Sequence, residues 1–161
     1  MLRPAILYKE ELEKKFAEEL YTDKYFMFSG YPYDNVPHEI KAEHDRFSLA
    51  SVEDGRVVGY IGYSVSPMLN EASNFGLYAF ETWNITFMRD IKNEMHRILK
   101  RYRRIEWRMV GGNVVERAYD AFCERHGGHK HTLHDATMDI DGNYRDTVIY
   151  EIVGAKRCER E

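Results

Sequence analysis

Between Ile105 and Gly128 the chain reads IEWRMV, GGN, VVERAYDAFCERH and GG, and this stretch restricts the fold more than any other. Ile105, Trp107 and Met109 alternate with Glu106 and Arg108, the two-residue period of a half-buried strand. Gly111 and Gly112 allow a tight turn. Asn113 is a good N-cap, able to accept a first-turn N–H, and Val114, Val115, Ala118, Tyr119 and Phe122 fall on one helix face. A strand that runs into an amphipathic helix through a glycine turn calls for a layered α/β arrangement. Such a turn also leaves outward-pointing N–H groups that suit phosphate or carbonyl oxygens. On spacing alone, the plainer reading is a strand-to-helix packing unit.

The rest of the chain supplies further strands and helices in alternation. Leu2 to Tyr8 reads as a first strand with Pro4 at an edge. Lys9 to Lys24 reads as a helix with a narrow stripe of Leu12, Phe16 and Leu20. Residues 25–37 carry five aromatics with Gly and Pro, an aromatic loop that either walls a substrate groove or packs on itself. A short helix is expected over Val36 to Asp45. Phe47 to Val65 is a hairpin turning at Asp54-Gly55, with Gly59 and Gly62 marking a bulge or a close backbone approach. Ser66 to Asn74 reads as a loop, Phe75 to Thr86 as a strand, and Phe87 to Tyr102 as a helix. The apolar face of that helix is Met88, Ile91, Met95, Ile98, Leu99 and Tyr102. Its basic end, Lys100 to Arg104, suits a helix C-terminus. His129 to Ile140 and Tyr144 to Val153 close the chain as a hairpin. This is one mixed α/β domain over residues 1–155 with about seven strands, followed by a charged tail over 156–161.

Composition removes several classes. Among 161 residues the net charge is −4, which gives no footprint for general nucleic-acid binding. No apolar run reaches the length of a membrane span, and the N-terminus lacks a secretory core. Two cysteines, Cys123 and Cys158, make no disulfide framework, so a reduced, cytoplasmic setting is expected.

The order of elements resembles the GNAT acetyltransferase family over nearly the whole chain. Three stretches carry it: Arg3, Pro4 and Ala5 ahead of a helix; the hairpin EDGRVVGYIGYSV from Glu53 to Val65; and MVGGNVVERAYDAFCERHGG from Met109 to Gly128. The resemblance implies a central mixed, largely antiparallel sheet flanked by helices, with splayed fourth and fifth strands. It sets those strands at Phe75 to Thr86 and Ile105 to Val110, and the pantetheine arm of acetyl-CoA in the gap between them. It further implies an N-acyltransferase that moves an acetyl group from acetyl-CoA to the amine of a small molecule or peptide. A shorter likeness, over Thr86 to Arg89, Lys100 to Arg104 and Trp107 to Asn113, resembles GNAT-like proteins of tailed phages, including internal virion proteins. That branch implies a non-catalytic structural or interaction module, located in the virion.

Two departures from the family pattern bear on the site. The family's glycine-rich pyrophosphate loop has no glycine here. Trp83, Ile85, Thr86, Phe87 and Arg89 occupy that segment and, with Asn113, are the expected cofactor-binding residues. The tyrosine that protonates the leaving thiolate in many relatives corresponds best to Tyr119, although counting back from Gly127 lands on Cys123. Tyr119 is alternatively a core aromatic. Glu53 and Glu81 are strand carboxylates able to act as base through water, and Glu81, expected on the fourth strand, is the better candidate. His126, His129, His131 and His134 cluster without a recognised metal spacing, and no metal is expected. A homodimer is left open.

Overall fold

The chain begins with a short strand, Leu2–Pro4 (β1), followed by a 3-10 turn over Ala5–Tyr8. Helix α1 (Lys9–Glu19), strands β2 (Arg46–Glu53), β3 (Arg56–Ser66) and β4 (Glu71–Ala79), and helix α2 (Ile85–Arg101) come next. Strand β5 (Arg104–Val110), helix α3 (Glu116–Arg125) and strands β6 (His129–Met138) and β7 (Tyr144–Val153) complete the fold. The computed structural model describes residues 1–19, 40–81, 83–138 and 141–154. The aromatic loop over 25–37 and the tail over 156–161 lie outside the described residues, as do Leu20 and the end of the helix expected to reach Lys24.

The seven strands among the described residues form one sheet in the order β1-β2-β3-β4-β5-β7-β6. Every neighbouring pair is antiparallel except β4 with β5, which run parallel. The expected mixed, largely antiparallel seven-strand sheet is therefore present. Asp54 and Gly55 both take positive φ, 49° and 80°, at the β2–β3 turn, the twist a two-residue hairpin needs. On one sheet face Leu12 and Phe16 of α1 bury against Tyr60 and Tyr78. Phe16 meets Tyr60, Tyr78 and Phe80 edge-on at 5.2–5.4 Å, the favoured geometry for aromatic quadrupoles. On the other face α2 and α3 cover Ile61, Tyr63, Phe75, Trp107 and Tyr150.

Several boundaries differ from the sequence expectation. β1 stops at Pro4, because proline offers no N–H to extend the ladder. Of the short helix expected over Val36 to Asp45, residues 36–39 lie outside the described residues, and Ile40 to Asp45 are not helical. β4 begins at Glu71 and ends at Ala79, four residues before the expected start and seven before the expected end. Glu71 to Asn74 reads as loop by propensity, but pairing to β3 and β5 overrides it. In α2, Met88 is half exposed and Phe87 is buried instead. Gly59 explains the exchange. A Cβ there would overlap the Phe87 ring, so the bare backbone of β3 is what lets α2 lie close, and the close approach is by a side chain rather than another backbone.

Two buried charges fasten α2 to the sheet. Glu94 accepts the Tyr63 hydroxyl at 2.7 Å and pairs with Arg97, which also donates to that hydroxyl at 2.7 Å. Asp90 accepts from Ser51 Oγ at 2.8 Å and lies 3.0 Å from the Met1 ammonium. Buried carboxylates need such partners to offset desolvation.

Candidate functional site

The sheet parts between β4 and β5. Their ladder has only two positions, Glu71↔Arg104 and Ala72↔Ile105. Beyond Ala72, β4 is paired only to β3, and beyond Ile105, β5 is paired only to β7. Where the pairing ends, the register of β4 on β3 slips by one residue and Asn74 takes a φ of 53°. A bulge bends its strand and turns backbone groups out of the ladder. The parted strands thus present unpaired N–H and C=O groups along a gap, and an extended amide-bearing ligand can satisfy them.

The N-terminus of α2 follows directly on the open end of β4. Trp83 has a φ of 61° and is 71% exposed. Asn84 caps the helix: its Oδ1 accepts from Phe87 N–H at 2.8 Å and its carbonyl from Met88 N–H at 3.0 Å. The helix therefore starts at Ile85 rather than Phe87. The N–H groups of Ile85 and Thr86 have no partner among the described residues, which leaves two donors at the positive end of the helix dipole. Phe87 offers a ligand little, since its N–H is taken by Asn84 and its ring is buried. Arg89, the fifth residue of the helix, is exposed.

Carboxylates surround this helix end. Glu53, at the end of β2, accepts from Asn84 Nδ2 at 2.9 Å and from the Thr86 hydroxyl. Those hydrogen bonds, Thr86 first and Asn84 second, hold the Glu53 carboxyl below its usual pKa. Glu81 accepts from the same Asn84 Nδ2 at 3.2 Å. Glu81 is not on the fourth strand as expected, because β4 ends two residues earlier at Ala79. Asn84 joins the site although it is not among the residues expected from sequence. An Asn directly before Ile-Thr-Phe is an N-cap signal, hidden by extending the strand to Thr86.

The far wall of the gap is β5 with α3. Asn113 does not cap α3 directly: its Oδ1 accepts from Val115 N–H at 3.1 Å, and regular helix starts at Glu116. Val114 is exposed, off the core face. Gly112 N–H donates to Glu116 at 2.9 Å, and Lys130 bridges Glu116 and Asp120 at 2.8 Å each. Lys130 above all holds both carboxyls below their usual pKa. Tyr150 donates to Asp120 at 2.7 Å. This network ties the glycine turn, α3 and the β6–β7 hairpin together.

Tyr119 sits half-buried in an aromatic nest, 6.0 Å from Trp107 and 5.9 Å from Tyr150 between ring centroids. Burial alone raises its pKa, and its hydroxyl has no hydrogen-bond partner among the described residues. Cys123, the alternative position, is buried with its thiol turned to the carbonyls of His129 and Glu151, and burial raises its pKa. The histidines do not converge. His126 meets His96 of α2 at 5.4 Å, whereas His131 lies 3.9 Å from Glu151 and His134 3.2 Å from Asp146. Among the described residues no group of three or more His, Cys, Asp or Glu is arranged to hold a metal ion, and no helix is long and apolar enough to cross a membrane.

No protein-family model matches the chain, and no curated protein matches it. Solved structures do. A probable acetyltransferase of the GNAT family from Chromobacterium violaceum is 19% identical with a TM-score of 0.65, over 95% of this chain and 85% of that one. A GCN5-related N-acetyltransferase from Brucella melitensis is 19% identical with a TM-score of 0.63, over 94% and 74%. A ribosomal-protein-alanine N-acetyltransferase from the same organism is 16% identical with a TM-score of 0.52, over 67% and 68%. At these identities the likeness establishes architecture: the chain has the fold of the GNAT acetyltransferase structures, with its one parallel contact between β4 and β5.

Proposed function

We propose that the protein is an N-acyltransferase of the GNAT superfamily, working in the cytoplasm, which takes an acetyl group from acetyl-CoA and passes it to an amine. The observation that carries this reading is the two-position β4–β5 ladder. It leaves a gap bordered by unpaired backbone that fits a pantetheine arm. The fit is uneven at the other end of the cosubstrate. The N–H groups of Ile85 and Thr86, with Arg89, suit a diphosphate, while Glu53 and Glu81 oppose one. Trp83 lies exposed beside them, and Asn113 marks the β5 side of the cleft.

Acetyl-CoA supplies an activated acyl group as a thioester. The chain's own part is to hold the amine against that carbonyl, to polarise it with backbone N–H groups of the parted strands, and to move two protons. Tyr119, protonated at neutral pH as any tyrosine is, serves as acid toward the leaving sulfur. Glu81 is the base to test first, acting through water on the acceptor ammonium. The ribosomal-protein-alanine acetyltransferase neighbour supports a peptide or small-molecule amine as acceptor.

Calorimetry and thermal shift with acetyl-CoA test the reading, followed by transfer of labelled acetyl to a panel of peptide and small-molecule amines. Binding with a raised melting temperature is expected. No binding at millimolar acetyl-CoA would overturn it in favour of a non-catalytic module.

A further inference from the structure

The turn between β3 and β4 carries side chains that its geometry does not call for. Ser66 Oγ accepts from Leu69 N–H and the Pro67 carbonyl from Asn70 N–H, at 3.4 Å each, and Asn70 takes a φ of 50°. Turn tips favour Gly, Asn, Asp and Ser, yet this one presents Met68 and Leu69, 97% and 64% exposed. Met68 is the most exposed large apolar side chain among the described residues. The Asn70 carbonyl accepts from Arg103 N–H at 2.9 Å and from Arg104 N–H at 3.2 Å. Those two bonds fix the apolar tip beside the basic end of α2, where Lys100, Arg101 and Arg103 are exposed.

The guanidinium of Arg104 is held by Glu71, Glu106 and Glu151. Lys100, Arg101 and Arg103 differ: none has a carboxylate partner among the described residues, and Arg101 lies over the Tyr102 ring instead. The helix dipole accounts for Lys100 and Arg101 in the last turn of α2. It accounts neither for Arg103, beyond the helix, nor for Met68 and Leu69. In a chain of net charge −4, three such cations point to an anionic partner. Acetyl-CoA is not that partner, because the length of α2 sets its basic end about 25 Å from the helix start beside the cleft.

We infer that this end of the molecule docks on an anionic lipid surface, with Met68 and Leu69 entering the apolar layer and Lys100, Arg101 and Arg103 meeting headgroup phosphates. A bilayer offers negative charge at its surface and hydrocarbon just beneath, and it needs no cavity shaped to the protein. A protruding apolar tip with cations beside it matches that layering. An acidic peptide would satisfy the cations and leave Met68 in water. Docking by this face leaves the α2 N-terminus and the open end of the β4–β5 gap free, so it stands apart from the acyl-CoA reading.

Flotation of the full chain with vesicles tests the docking. Vesicles of equal parts phosphatidylcholine and phosphatidylglycerol should bind it, phosphatidylcholine alone should not, and added salt should weaken the binding. Lys100→Gln, Arg101→Gln and Arg103→Gln should each weaken it about fivefold. Met68→Ser with Leu69→Ser should weaken it about tenfold. All five positions are exposed, so melting temperature and acetyl-CoA binding should stay as in wild type. No binding to the mixed vesicles would overturn the inference, as would vesicle binding that the serine pair does not weaken. Capture by soluble polyglutamate without vesicle binding would overturn it in favour of an acidic protein partner.

Discussion

Glu53 and Asn84 are joined across the mouth of the cleft, carboxylate to side-chain amide at 2.9 Å, so the end of β2 buttresses the first turn of α2. The same amide also reaches Glu81 at 3.2 Å. A helix end that would otherwise attract an anion is thereby fenced by two acidic groups.

Removing that fence should strengthen anion binding. Glu53 remains ionised at neutral pH, because hydrogen bonds from Thr86 and Asn84 lower its pKa from 4.5. Glu53→Gln keeps the Asn84 contact and deletes the charge. The expected result is a modestly lower Kd for acetyl-CoA, by at most about fivefold, as deleting one exposed charge beside a helix end brings. Calorimetry at two salt concentrations checks it, since the gain should shrink as salt rises.

Tyr119→Phe separates an acid from a core aromatic. The hydroxyl has no partner among the described residues, so stability should hardly change. If Tyr119 protonates the leaving sulfur, kcat should fall by about 10²–10⁴ with KM little altered. Its raised pKa keeps it protonated above the ordinary tyrosine range near 10, so no alkaline decline below that pH should trace to it. An unchanged kcat assigns the ring to packing alone.

Gly59→Ala should destabilise the protein by about 1–3 kcal/mol, the usual cost of overfilling a packed core. The added methyl meets the Phe87 ring. Urea unfolding of Gly59→Ala in a Phe87→Leu background should show a smaller loss than in wild type, which would tie the cost to this pair.

Glu94→Ala should cost about 1–3 kcal/mol, because it leaves the buried Tyr63 hydroxyl without its acceptor, while the half-exposed Arg97 side chain can turn to solvent. Tyr63→Phe, which leaves the Glu94–Arg97 pair intact, should cost about 1 kcal/mol. Denaturant midpoints of the two variants decide the order.

Mild acid should loosen α3. Burial first, then His96 and Arg125, lower the pKa of His126 from 6.5. The unfolded chain therefore binds the proton more readily. The His126 contribution to stability is present above 6.5 and is lost as pH falls through that value toward the lower folded one. The melting temperature should drop over this window, and His126→Gln should flatten the drop.

Much of the architecture can be read in the sequence because its signals are local. The alternation of Ile105, Trp107 and Met109, the Asp54-Gly55 turn, and the period of Phe87 to Tyr102 each report a single element. The ends of β4 are not local. Glu71 enters the strand because Ser66 and Arg104 flank it in space, and Ala79 ends it because Asn84 begins a helix. At the site, Tyr119 and the segment 83–89 stand out by their place in the element order. Glu53 and Asn84 each carry a local signal, but their contact joins residues 31 positions apart, and no linear pattern encodes that pairing.

The brief ladder of Glu71 and Ala72 with Arg104 and Ile105 also bears on how the molecule comes apart. Among the described residues, the backbone bonding that joins the β1-β2-β3-β4 half of the sheet to the β5-β7-β6 half is confined to one end, the two rungs and the Arg103 and Arg104 N–H groups that donate to the Asn70 carbonyl. The remaining attachment runs through side chains under α2 and α3. Amide hydrogen exchange should therefore resolve two cooperative units, with protection dividing at this seam. A ligand that bonds both strand edges would merge them, so the seam where the sheet is weakest is also where binding would stiffen it most.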